Sequence, residues 1–522
     1  MSDPTSREEL AHPAGIDGAQ QHIGDLIRGA FVNAVGKLGR VSRALSTLVI
    51  SNLFGAAVLG IYRIAWDIVL IAYKIGRLGL HRSVTAAVVQ CRANGDVDGC
   101  HSAIGRGLAL GLVFSLATAL TTYFAAPHIA AYMGKAALAP AIVVMVWTLP
   151  FMVLTVVFIA ATWALRIMRY EVYANSIGGP LILLAGTLTA GLCGWGLEGL
   201  AAATVLMGAS LFLLSLFYFG KHFSLMESLR QLGRGGSWST LTQAAFPVML
   251  SDVIYTLVSS LDKLMLMKVV APETVGIYVV AREVSTVMKK IPQAFDPIFS
   301  PIVTDLTHRR QPRELEENLA FVLRWVCITN LAYLGLIWLG GERLMKLFGP
   351  EFVAGATMAW VLCLGMVALG LSIPMTSLLI MSGYPYVNLL NNAIWLASMF
   401  LFNYWLIPLH GGVGAAWGVT ASTYLVVLVR LGQARFLLGI QPLRWQLLKP
   451  FVAAAAGFAA GALFCRLAPG NSPWSLVPEL LIFLATFLTA LYLQGFDERD
   501  RMLLDRVRSY AKQRKDKQSN SA

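Results

Sequence analysis

Apolar residues run along this chain in long unbroken blocks, not in alternation with polar ones. A block of about 20 such residues is enough to cross a bilayer as an α-helix. About fourteen are predicted, near residues 29–53, 57–78, 103–125, 138–164, 173–193, 198–219, 241–267, 274–303, 318–340, 353–381, 386–408, 412–433, 450–468 and 476–494. The expected fold is an all-α polytopic membrane protein. A β-barrel would instead show segments of about ten residues with alternating hydropathy.

The pattern also repeats. Gly60-Ile61-Tyr62 returns as Gly276-Ile277-Tyr278, an offset of 216 residues. At the same offset Ala65 matches Ala281, Asp67 matches Glu283 and Lys74-Ile75 matches Lys290-Ile291. Tyr170 pairs with Tyr386, Asn175 with Asn391, Gly196 with Gly412 and Thr204 with Thr420. No gap is needed over about 145 residues, so the chain reads as two copies of one membrane-embedded unit. Duplication at that scale points towards a transporter, because two halves can rock about a shared site.

Composition agrees. The chain is 57% hydrophobic and 13% charged, against roughly a quarter charged in soluble domains. Its net charge of +13 comes mostly from one set of loops. Arg77, Arg82, Arg92, Arg166, Arg169, Lys221, Arg309, Arg430, Arg435 and Lys449 fall on one side, with the basic tail. Only Lys135, Lys268, Arg343, Lys346 and Arg466 fall on the other. The positive-inside rule then puts both termini in the cytoplasm. Such a bias reflects topology and gives no reason to expect a nucleic-acid partner. Residues 1–24 form a polar tail with neither an apolar core nor a cleavage pattern. In the last 27 residues, Met502, Leu503, Val507 and Tyr510 form the apolar side of a juxtamembrane helix whose basic residues face lipid head groups. The six cysteines have no metal-ligand spacing, and neither a metal nor a cofactor is expected.

Two motif matches carry no function. Gly194-Trp195-Gly196-Leu197-Glu198-Gly199 fits the dinucleotide fingerprint but sits in a hairpin between spans, without a βαβ unit around it. Its repeat partner, His410-Gly411-Gly412-Val413-Gly414, is an equivalent turn. Asp96-Val97-Asp98 resembles a metal-binding D-x-D, yet it lies in an interspan loop of about two dozen residues with no soluble domain to hold a nucleotide. A P-loop is absent, so this chain alone does not hydrolyse ATP to drive transport.

The informative residues are charges within apolar spans. A charge at the bilayer centre costs at least ~2.5 kcal/mol, so retained ones usually line water or pair. Arg63 and Asp67 are four residues apart on one helix face and can pair. In the second copy Glu283 replaces Asp67, with Arg282 beside it. Such pairs either pin a helix to its neighbours or couple an ion. Lys37, Arg40 and Arg43 rise along one face of the first span, with Asn33 a turn earlier and Gly36 and Gly39 between. They line a cavity if the span starts near Ala30, and form a cytoplasmic flank if it starts near Leu45. The seventh span carries Asp252, Asp262 and Lys263. The last two diverge by about 100° and need separate partners. Pro292, Pro297 and Pro301 predict a bent eighth span, with Gly76 at the depth of Pro292 in the first copy.

Spans one to two read LVISNLFGAAVLGIYRIAWDI and seven to eight SSLDKLMLMKVVAPETVGIYVVAREV. This repeated hairpin resembles the polysaccharide transporters, the O-antigen and exopolysaccharide flippases of the multidrug/oligosaccharidyl-lipid/polysaccharide exporter superfamily. The resemblance covers roughly residues 29–495. It implies two pseudo-twofold-related six-helix bundles around a central cavity, at 25–220 and 241–436. A cytoplasmic linker over 221–240 joins them, two more spans lie within 437–495, and 496–522 is a basic tail. It further implies flipping of polyprenyl-pyrophosphate-linked oligosaccharides across the bacterial inner membrane without bond cleavage. The pyrophosphate needs cations, for which Lys37, Arg40, Arg43, Arg63 and Arg282 are candidates. Tyr62, Tyr278, Asn175 and Asn391 are candidates for sugar contacts, and Asp67, Glu283, Asp252 and Asp262 for H⁺ or Na⁺ coupling. Expected partners are the lipid-linked oligosaccharide, membrane lipids and polysaccharide polymerase or export proteins. A cation-coupled drug exporter or a lipid II flippase of the same superfamily is the alternative. An enzyme is not expected, since no outward loop exceeds about a dozen residues.

Overall fold

A computed structural model describes residues 19–233, 238–309, 311–441, 445–467 and 476–495, and at the amino end gives side chains only from Leu45 onward. No strand occurs among the described residues. The helices are α1 (Ala19–Gly76), α2 (Leu80–Ala93), α3 (Val97–Met133), α4 (Leu138–Met145), α5 (Thr148–Ala164), α6 (Arg169–Leu192), α7 (Gly196–Phe219), α8 (Leu225–Arg230) and α9 (Trp238–Val269). They continue as α10 (Pro272–Thr286), α11 (Lys290–His308), α12 (Pro312–Lys346), α13 (Ala356–Met381), α14 (Pro385–Leu438), α15 (Leu448–Leu467) and α16 (Leu476–Leu493).

Among the described residues, 10 helical stretches are long and apolar enough to cross a membrane. Interruptions bring this to between about ten and fourteen spans. α1 breaks at Gly55 (φ 77°, ψ 175°) and α14 at Gly411 (φ 54°, ψ −128°). At Gly411 the chain doubles back: a Cβ on Gly418 would lie 2.2 Å from Asn403 Oδ1, although 15 residues of straight helix extend about 22 Å. The eighth span is divided into α10 and α11 by a 3-10 turn, Val287–Lys289. Pro292 follows directly and cannot donate to the Met288 carbonyl, so the bend expected from the prolines falls here.

The chain separates into two compact units, one ending at Val280 and the other beginning at Ala281. In the first, the interspan loop expected around residues 79–102 is instead largely the helix α2. Leu80, Val84 and Val88 recur every fourth residue and are buried against Ile104, Leu108, Val157, Phe158 and Phe219. Its polar length hid that stripe from a search for 20-residue apolar blocks. Asp96 then caps α3, accepting from Gly99 N at 2.7 Å, so the D-x-D match is a helix start. Gly194 and Gly196 have positive φ between α6 and α7, which only glycine adopts readily. The dinucleotide-like match is a turn.

In the second unit α15 and α16 are fastened to α12. Phe483 of α16 fills the notch at Gly335, where a Cβ would lie 2.0 Å from its ring, and also covers Gly457. Arg343 donates to both carboxylate oxygens of buried Glu479, each at 3.2 Å. Lipid competes equally for apolar surface, so close packing and this bidentate pair hold the helices together.

Candidate functional site

Within the first unit the two copies of Gly-Ile-Tyr touch. A Cβ on Gly276 would stand 1.9 Å from the Ala56 carbonyl oxygen, and one on Gly60 2.2 Å from that of Pro272. Glycine at both positions therefore lets the α1 and α10 backbones meet without side chains between them. Pro272 opens α10 with Glu273 in its first turn, which suits a helix amino terminus.

Two turns beyond Gly60 on α1, Asp67 is 1% exposed. Lys263 of α9 brings Nζ to 2.5 Å from Asp67 Oδ2, and Arg63 Nε stands 3.7 Å from Oδ1. The Lys263 contact is one of charge, outside hydrogen-bond geometry. Asp262 diverges from its neighbour as the helix requires: its Oδ2 accepts from Tyr278 OH at 2.5 Å. Tyr62 bonds across to Thr204 at 3.1 Å. Thr204 spends its hydroxyl hydrogen on Leu200 O, so Tyr62 is the donor. Nearer the other end of α9, Asp252 pairs with Arg77, whose guanidinium also lies over the Tyr73 ring.

This cluster holds two carboxylates, Asp67 and Asp262, and two cations, Arg63 and Lys263. Taking such charges out of water costs several kcal/mol each, which only close pairing offsets. Neutralising Asp67 would strip Lys263 and Arg63 of their shared counter-charge.

The predicted residues do not all meet at one place. Tyr62, Arg63, Asp67, Asp262 and Tyr278 come together near the Gly60–Gly276 contact, while Asp252 forms a separate pair. Arg282 is buried and Glu283 half-buried at the start of the second unit. Deeper in that unit Asn391 is fully buried and exchanges two hydrogen bonds with Gln433, at 2.6 and 2.8 Å. Asn175, half-buried, lies in a π-helical stretch, Val172–Gly178. The side chains of Lys37, Arg40 and Arg43 lie outside the described residues. Sequence reasoning missed Lys263 as the partner of Asp67; the only signal was a lysine within an apolar span. Among the described residues, no cluster of three His, Cys, Asp or Glu side chains could hold a metal ion.

Residues 100–348 match the model of a family described as "Polysaccharide biosynthesis protein". No curated protein matches the chain by sequence. Among solved structures, the lipid II flippase MurJ in an inward closed conformation is 13% identical, with a TM-score of 0.70 over 88% of this chain and 98% of that one. An inward-facing multidrug resistance MATE family transporter of the MOP superfamily is 12% identical, with a TM-score of 0.67 over 84% and 98%. A MOP superfamily transporter from Pyrococcus furiosus, described as having a binding pocket of reverse polarity, is 13% identical, with a TM-score of 0.55 over 84% and 99%. At these identities the structures establish a shared fold, that of MurJ and MATE transporters. The family match spans a little under half of the chain, and the fold is the one these transporters share.

Proposed function

We propose that the protein is a flippase that moves polyprenyl-pyrophosphate-linked oligosaccharide repeat units, for O-antigen or exopolysaccharide, across the bacterial inner membrane by alternating access. The observation that carries this reading is the charge network of buried Asp67 and Lys263 with half-buried Arg63, beside the contact of the two Gly-Ile-Tyr copies. A close backbone contact between the two copies and a charge network beside it suit a carrier for an anionic lipid. The family description supports a polysaccharide role, and MurJ is described as a lipid II flippase.

In this reading both termini are cytoplasmic. Arg63, Arg282 and the Lys37-Arg40-Arg43 row meet the pyrophosphate as the carrier opens, and Tyr62, Tyr278, Asn175 and Asn391 serve the sugars. With the cytoplasm negative, exporting two negative charges gains about 4.6 kcal/mol per 100 mV. H⁺ or Na⁺ entering at Asp67, Asp252, Asp262 or Glu283 resets the carrier. A polymerase or export protein receives the product.

Deleting the gene tests this directly. Lipid-linked repeat units should accumulate on the inner leaflet while surface glycan disappears. Unchanged glycan pools with lowered drug tolerance would transfer the assignment to the drug-exporter alternative, whose fold is shared as well.

A further inference from the structure

Arg430 lies in the second stretch of α14, after the Gly411 break, and is only 3% exposed. Its Nη1 donates to Ser372 Oγ, and its Nη2 to Asn388 Oδ1 at 3.4 Å and Asn392 Oδ1 at 3.2 Å. All three acceptors are neutral. Among the described residues no carboxylate comes within ion-pair distance of this guanidinium, whereas Arg63, Arg77, Lys263 and Arg343 each have one. The arginine keeps its charge at any physiological pH, and a buried charge without a counter-charge is strongly unfavourable.

The surrounding hydrogen bonding is also one-sided. A guanidinium has five N–H donors, and these bonds use three. Nε is buried with no acceptor. Because Asn388 and Asn392 offer their carbonyl oxygens to Arg430, their NH2 groups must turn away from it. Both residues are half-buried, and no acceptor among the described residues takes those groups. They sit four residues apart on one helix face, about 6 Å from each other. A buried cation and a buried serine thus lie beneath two half-buried amides whose NH2 groups are spare, with no acidic group among them.

From this we infer that Arg430, Asn388, Asn392 and Ser372 form a binding site for an oxyanion of the phosphate class, either free or carried by a lipid head group. It lies in the second unit, in a cluster distinct from the Asp67 network, and does not depend on which glycan is carried.

The test uses the full-length protein in phosphatidylcholine nanodiscs. Inorganic phosphate and pyrophosphate are titrated at constant ionic strength while thermal unfolding is followed. In a second arm, discs containing phosphatidylglycerol are analysed by native mass spectrometry for retained lipid. Saturable stabilisation by the soluble anions would identify a free phosphate as the source; selective retention of phosphatidylglycerol would identify a head group. In either case N388A/N392A should weaken binding at least about tenfold, R430K should bind more weakly than wild type, and R430M should not bind. If R430M fails to fold, the half-buried asparagine pair decides between binding site and packing feature. The inference is overturned if neither arm shows binding to the wild type, or if N388A/N392A binds as the wild type does.

Discussion

Tyr62 and Tyr278 occupy the same place in the duplicated signature, yet one donates to Thr204 and the other to the carboxylate of Asp262. Thr420, the repeat equivalent of Thr204, turns its hydroxyl to Val361 O. The same divergence appears further along. Tyr170 is buried, stacked on Tyr218 at 4.5 Å and bonded to His222, whereas Tyr386 is 84% exposed. Asn391 is locked to Gln433, while the position matching Gln433 in the first copy is Phe217. Asp96 caps α3, but at the matching position α12 starts with Pro312. The two copies kept the backbone geometry that lets helices approach, and rewired the polar groups hung on it. In the first unit Asp67 faces Lys263 and Arg63, and Asp252 faces Arg77; in the second, Arg430 is surrounded by amides and a hydroxyl.

Substitutions can break or sharpen this contrast. Gly276→Val should have the largest effect, because its Cβ meets the Ala56 carbonyl and not a movable side chain. We expect at least about a tenfold loss in a glycan-complementation assay, with lowered thermal stability. Asp67→Asn should follow, at about 3 kcal/mol in unfolding measurements, because it removes the carboxylate that faces buried Lys263. D67N/K263M should recover most of that stability; if it costs as much as the sum of the singles, the two residues are not coupled. Asn391→Ala strands the Gln433 amide and should cost about 1–3 kcal/mol, whereas N391L/Q433L should cost less. Asp96→Ala should be smallest, about 1 kcal/mol for a lost helix cap. The first copy alone has this capping bond to lose.

The spans, the duplication, the Arg63–Asp67 pair and the bend before Pro292 were legible because each is written locally, in about 20 residues or fewer. The Asp67–Lys263 pair was not, since its members are 196 positions apart and nothing in either neighbourhood names the other. Arg430 misled for a different reason. Counting basic residues near span ends treats them as flank, but α14 continues to Leu438 and neighbouring helices enclose the arginine. The meeting of Gly60 with Gly276 is a fact about packing, although the repeat had marked both residues.

The seating of Phe483 against Gly335 and Gly457, with Arg343 gripping Glu479, has a practical consequence. The final pair of helices must travel with α12 as one stiff outrigger. Leu488, on their outer surface, is therefore a place for a fluorophore that would report motion of that half optically, leaving its polar interior untouched.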